Sequence, residues 1–322
     1  MLPSQTVVLV LAGLLAAAPA AAQVGVQTIL VADSSGPPIE TTVWYPTSMP
    51  ASSLDRDSWV LEAVADAPPI PGRRRLVVIS HGMTGSSLAH HDLAEQLARR
   101  GAVVAAPLHP GDNWRDGSLA MSAAILAARP RQLSRAIDGV LADRASAALV
   151  DPARIAAIGY SMGGYTALVA AGGRPDARRF AEYCRAQADD ALLCGAGAPR
   201  DAASIPAAAD GRIRALVLMA PALGFLFDRA GLKDVTIPVQ LFRAGRDEVV
   251  RHPWNEERIA GALAKPPDYA LIEGAGHYVF LAPCPPRLAW DICADAPGID
   301  RRAIHAQLNR EIAEFLERAL PD

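Results

Sequence analysis

Cysteine is scarce in this chain, with four in 322 residues. No histidine stands beside any of them at zinc-ligand spacing, which excludes the small zinc-stapled modules. An excess of one charge is also missing. The 31 Lys and Arg residues nearly cancel the 34 Asp and Glu, leaving a net charge of −3. There is therefore no electrostatic case for nucleic acid or an anionic membrane as partner. No linker-like stretch divides the chain, so it reads as one domain with a large core. A membrane-spanning run is lacking too. The apolar stretch Val7–Ala18 is too short to cross a bilayer comfortably. Ala20-Ala21-Ala22 before Gln23 supplies small residues for signal-peptidase cleavage.

That pattern predicts a signal peptide over residues 1–22 and a mature domain over 23–322, periplasmic or secreted, with no stable membrane insertion after cleavage. The leader carries no Lys or Arg before its apolar run, and an uncleaved anchor is the alternative. No cysteine stands at the cleavage site to accept a lipid. In an oxidising compartment the neighbours Cys184 and Cys194, and Cys284 and Cys293, predict two local disulfides. Two other pairings, and four reduced buried thiols, remain open.

Hydrophobic residues make up 51% of the chain and charged ones 20%, the balance of a folded globular protein. Val24–Val31 and Thr41–Tyr45 read as antiparallel entry strands around a Ser34-Ser35-Gly36-Pro37-Pro38 turn. Residues 46–74 read as an irregular surface insertion. Strands at Arg75–Ser80, Val103–Pro107, Ala153–Ile158, Ile213–Met219, Val239–Ala244 and Tyr269–Glu273 alternate with helical segments at Leu88–Arg100 and Gln132–Ala148. Such alternation implies an α/β fold with a mainly parallel sheet.

Gly159-Tyr160-Ser161-Met162-Gly163-Gly164 lies between a strand and the helical run that begins at Tyr165. This is the setting of a nucleophile elbow, in which small residues two before and two after the serine let strand and helix approach. The helix N-terminus behind the serine can stabilise a developing oxyanion. On its own the motif reads equally well as a turn with a solvated serine.

The order expected of this machinery is serine, acid, histidine. Asp247 leaves the carboxyl end of Val239–Ala244, and His277 sits in the loop Gly274-Ala275-Gly276-His277-Tyr278 after the next strand. A serine hydroxyl needs an imidazole to take its proton, and the imidazole needs a carboxylate to fix its tautomer. Glu248 is the nearest competitor for the acid, with Asp228 and Asp234 weaker. Backbone amides of Met83, in His81-Gly82-Met83-Thr84-Gly85-Ser86, and of Met162 are the candidate oxyanion donors. His81 itself reads as structural, hydrogen-bonded beneath that loop.

Ser80-His81-Gly82-Met83-Thr84-Gly85, Ala106-Pro107-Leu108-His109-Pro110-Gly111-Asp112, the Ser161 elbow and Gly276-His277 resemble the α/β-hydrolase superfamily. More narrowly they are similar to secreted bacterial proteins described as predicted dienelactone hydrolases, a branch resembling the platelet-activating-factor acetylhydrolases. The resemblance covers nearly all of residues 24–320. It implies a mainly parallel eight-stranded sheet flanked by helices, and serine-dependent hydrolysis of a small-molecule carboxylic ester without metal or organic cofactor. True dienelactone hydrolases use cysteine where this chain has Ser161, so that name carries no activity with it.

Residues 172–211 form a longer excursion than a plain crossover and predict a small cap over the serine. His109, Trp114 and Phe225 are the candidate pocket walls. The expected function is an exported serine esterase for short-chain or modestly hydrophobic esters. An exported peptidase or amidase using the same triad, or a non-catalytic binding protein on this fold, are the alternatives. Oligomeric state is not legible.

Overall fold

The computed structural model describes residues 22–195, 205–288 and 290–321. The expected signal peptide, all but Ala22, therefore lies outside the described residues. The chain enters through β1 (Gln23–Val31) and β2 (Ile39–Thr47), an antiparallel pair from Gln23↔Thr47 to Val31↔Ile39. Next come β3 (Ser53–Arg56) and β4 (Trp59–Glu62), a separate hairpin, and β5 (Val64–Ala65). Regular alternation follows with β6 (Arg74–Ser80), α1 (His91–Arg99), β7 (Val103–Pro107), α2 (Ala123–Ala142), β8 (Val150–Tyr160) and α3 (Met162–Ala170). The excursion carries α4 (Arg179–Ala186) and α5 (Ala191–Cys194). The chain closes with β9 (Ile213–Met219), α6 (Arg229–Leu232), β10 (Val239–Ala244), α7 (Glu256–Ala262), β11 (Asp268–Ile272) and α8 (Arg301–Ala319).

The main sheet runs β11-β10-β9-β8-β6-β7-β2-β1-β5. The six strands from β11 to β7 are parallel, and the expected eight-stranded sheet gains β5 as a two-residue edge strand paired with β1. After β6 the chain steps to β7 on one side, and β8 then returns to the other. Connections diverge between β6 and β8, and the carboxyl ends of strands at such a divergence leave a crevice for a ligand. Ser80 pairs with Gly159 there, so both strands deliver their following loops to one place.

Alternate residues of the central strands feed two buried layers. Leu76 and Val78 join the core beneath α2 and α3, while Val77 and Ile79 join the core beneath α1 and α8. All four are buried, as expected of a parallel strand covered on both faces.

Two sequence expectations are corrected. Residues 46–74 are not irregular, because β3 and β4 pair through a turn at Asp57, whose φ is 51°, and Trp59, the first residue of β4, is buried. The helix expected at Gln132–Ala148 instead spans Ala123–Ala142, starting where Ser122 accepts a hydrogen bond from Ile125 N–H. It runs through Pro130, which cannot donate to the carbonyl of Leu126. The Tyr165 hydroxyl donates to that carbonyl instead (3.2 Å). Beyond Ala142, Asp143 turns extended and its carboxylate collects the Ala145 and Ser146 N–H groups.

Candidate active site

Ser161 follows β8 with φ 54° and ψ −119°, a conformation that most side chains avoid. Backbone hydrogen bonds on both sides hold it there. Its N–H donates to Met219 O (3.0 Å), while its carbonyl accepts from Gly164 N (2.8 Å) and Ala222 N (2.9 Å). The elbow closes only because its flanking residues lack side chains. A Cβ on Gly159 would run into the Gly163 carbonyl, and one on Gly163 into the carbonyl of Ser80.

His277 opens a short 3-10 turn, His277–Phe280, and is buried. Its Nε2 lies 3.0 Å from Ser161 Oγ and its Nδ1 lies 2.7 Å from Asp247 Oδ2. A carboxylate only accepts, so Nδ1 carries the proton and Nε2 is free to receive one from serine. The other Asp247 oxygen accepts from Val249 N (2.9 Å) and Val250 N (2.6 Å), which fixes the carboxylate. Glu248 points away and accepts the His277 backbone N–H (3.1 Å), holding the histidine loop. The Tyr160 hydroxyl donates to His277 O (3.2 Å), and its ring lies 5.0 Å from the imidazole. Burial, followed by the nearby Asp247 charge, pushes the Tyr160 phenol well above its usual range, so it remains a donor. Asp228 and Asp234, the weaker acid candidates, pair with Arg179 and Arg174.

Met162 is the first residue of α3, where an N–H has no partner within the helix. Met83 lies in the loop after β6. Met83, Met162 and Ser161 together line a small apolar pocket of about 40 Å³, closed by Met121, Leu193 and Val250. Leu193 comes from the excursion after α3. There the Cys184–Cys194 disulfide and the Asp190 carboxylate, which accepts from Leu193 N–H (3.0 Å), hold α5 in place. The part of the expected cap at 196–204 lies outside the described residues.

A buried polar network, missed in the sequence, underlies the Met83 loop. Arg129 of α2 is fully buried and donates to Asp112 Oδ2 (2.6 Å), Thr166 Oγ1 (3.0 Å), Ser80 Oγ (3.3 Å) and the carbonyl of His81. Asp112 in turn accepts Thr84 N–H (2.7 Å), the residue after Met83. The only sequence signal was Asp112 in the quoted motif, since an arginine amid apolar helix residues reads as exposed.

His81 and His109 complete this layer. His109 Nδ1–H donates to Gln132 Oε1 (2.9 Å), and its Nε2 accepts from Ser80 Oγ (2.8 Å). His81 Nδ1–H donates to Gly82 O (2.7 Å), and its Nε2 accepts from His109 N–H (3.2 Å). Burial, then the Arg129 charge, holds both imidazoles well below the usual histidine range, so both stay neutral.

Two pocket-wall expectations are corrected here. His109 is completely buried beneath the loop, where Ser80 and Gln132 use both ring nitrogens. Phe225 is also buried, stacked on Tyr183 at 4.1 Å and edge-on to Phe180 at 5.2 Å, while Leu223 takes its place at the Ser161 pocket. Trp114 is half exposed and lines a different cleft, across the Met83–Gly85 loop. Among the described residues no cluster of three or more His, Cys, Asp or Glu side chains is arranged to hold a metal ion.

Residues 61–190 match the family model described as the dienelactone hydrolase family. No curated protein matches the chain. Among solved structures, a ferulic acid esterase from Streptomyces cinnamoneus superposes with a TM-score of 0.62 at 23% identity, over 94% of this chain and 92% of its own. The chain shares the fold of that esterase. The chain carries both cysteine pairs as disulfides, Cys184–Cys194 and Cys284–Cys293, which fits an extracellular or periplasmic protein. Among its described residues no helix is long and apolar enough to cross a membrane.

Proposed function

We propose that Ser161, His277 and Asp247 are the catalytic triad of an exported carboxylesterase, with the Met83 and Met162 amides as its oxyanion hole. The observation that carries this is the unbroken relay from Asp247 Oδ2 through His277 to Ser161 Oγ, at 2.7 and 3.0 Å, opening into an apolar pocket. Ser161 Oγ attacks the ester carbonyl as its proton passes to His277 Nε2, and Asp247 stabilises the imidazolium. The carbonyl oxygen gathers negative charge, which two amides and the α3 N-terminus face. Collapse of the tetrahedral intermediate breaks the ester C–O bond, and His277 returns the proton to the departing alcohol. Water, deprotonated by the same imidazole, then attacks the acyl-serine and releases the acid.

A pocket of about 40 Å³ suits a short acyl chain. The similarity to a protein named a ferulic acid esterase supports ester chemistry on this fold. The leader, lying outside the described residues, and the two disulfides support export. The test is hydrolysis of p-nitrophenyl esters from acetate to decanoate by mature protein beside Ser161→Ala. We expect turnover with the shortest esters and a loss of at least about 10⁴-fold in kcat for the variant. Equal turnover by both proteins would overturn the assignment.

A further inference from the structure

The Ser161 pocket receives one arm of an ester, and an ester has two. On the other side of the Met83 loop lies a larger apolar cleft of about 190 Å³. Three of the five tryptophans in the chain, Trp59, Trp114 and Trp290, wall it, together with Leu281, Thr84 and Gly85. Trp114 and Trp290 are about half exposed, at 52% and 46%. Exposed aromatic faces converging on one concavity are costly unless something covers them.

The cleft is built onto the reacting centre. Thr84 and Gly85 directly follow Met83, and the Trp114 backbone N–H donates to Gly85 O (3.0 Å), tying the backbone that carries Trp114 to the Met83 loop. Arg115 lies over the Trp114 ring at 4.9 Å. On the far wall, Leu281 follows the turn opened by His277, and Ala282 N–H donates to Ala89 O (2.9 Å). The Cys284–Cys293 disulfide closes the segment that presents Trp290.

We infer that this tryptophan-walled cleft is the binding site for the alcohol arm of the ester, and that it selects a planar aromatic ring. The inference rests on the proposed ester hydrolysis. His277 must protonate the alcohol as it leaves, so that arm passes on the histidine side, toward Leu281 and Trp290. The acyl arm then occupies the smaller pocket beside Met162. Flat rings match indole walls by stacking, whereas a short alkyl alcohol leaves most of the cleft unfilled.

The experiment compares 2-naphthyl acetate with ethyl acetate, which share an acyl group, on the mature protein and on Trp114→Ala, Trp290→Ala and Trp290→Phe, all at exposed positions. The wild type should favour the naphthyl ester beyond the ratio of the two uncatalysed rates. That surplus preference in kcat/KM should fall about tenfold in each alanine variant, chiefly through KM, and recover in Trp290→Phe. Ser161→Ala should bind 2-naphthol by calorimetry, and Ser161→Ala with Trp290→Ala should bind it at least fivefold more weakly. A preference and a 2-naphthol affinity unmoved by the tryptophan variants would overturn the cleft while leaving the esterase standing. Absence of Ser161-dependent turnover of either ester would overturn the esterase, and the alcohol-arm role with it.

Discussion

Glu256, the first residue of α7, is fully buried, and neither carboxylate oxygen is hydrogen-bonded by another residue. Burial chiefly, with Asp247 and Glu257 adding repulsion against the weaker pull of Arg243, raises its pKa from the ordinary 4.5 to about 8. The sign follows from proton counting. Between pH 4.5 and about 8 the unfolded chain has lost this proton while the folded chain keeps it. Stability therefore falls as pH rises through that window and is flat in this contribution above it. Glu256→Gln removes the dependence while keeping the shape. Urea unfolding should show the variant gaining on wild type from pH 4.5 to 8, by on the order of 2 to 4 kcal/mol at the upper end. A constant difference across that range would mean that the carboxyl is not held neutral. Residues such as this were invisible in the sequence, because burial of a charge is decided by elements packed from elsewhere. Ser161, Asp247 and His277 were legible in position because each sits at a strand end marked by glycine, where sterics leave little choice.

At the scale of elements, α2 does more than cover the sheet. Its Arg129 reaches the carbonyl of His81 and, through Asp112, the amide of Thr84, so one helix sets the loop that presents Met83. Removing the Asp112 charge leaves a fully buried guanidinium without its counter-ion. Asp112→Asn should cost about 3 to 5 kcal/mol, the usual penalty for breaking a buried pair from one side. It should also lower kcat more than it raises KM, because oxyanion donors act mainly in the transition state. The checks are urea unfolding and steady-state kinetics well below the variant's midpoint. Unchanged kcat in folded variant would dissociate the network from the loop's role. The extent of α2 itself was misread because Pro130 reads as a helix boundary in sequence. The remedy is a hydroxyl on α3, Tyr165, whose pairing with Leu126 O spans 39 residues and leaves no local trace. Hairpin β3–β4 was missed for a related reason: its strands are four residues long and their turn is made by a positive-φ aspartate rather than glycine.

For the whole molecule, the alternation of strands and helices was enough to read the parallel sheet, since each layer's burial pattern is written in its own residues. What alternation does not encode is how the irregular segments are held over the sheet's carboxyl edge. Two disulfides do this. Cys184–Cys194 fixes α5 and with it Leu193 at the Ser161 pocket, and Cys284–Cys293 fixes the strip carrying Trp290 at the tryptophan-walled cleft. Each closes a loop of only 10 or 9 residues in sequence separation, so each stabilises by about 2.5 to 3 kcal/mol in the chain-entropy model. Neither bridge crosses the sheet: Cys184 and Cys194 pack at the margin of one buried layer and Cys284 at the margin of the other. Reduction should therefore act locally before it acts globally. Mild dithiothreitol treatment at 25 °C should leave far-ultraviolet circular dichroism unchanged while lowering Tm. The double serine variant at Cys284 and Cys293 should lose preference for aryl alcohol arms, and the double variant at Cys184 and Cys194 should broaden acyl-length tolerance. Identical specificity in both variants would mean that the strips keep their places by packing alone.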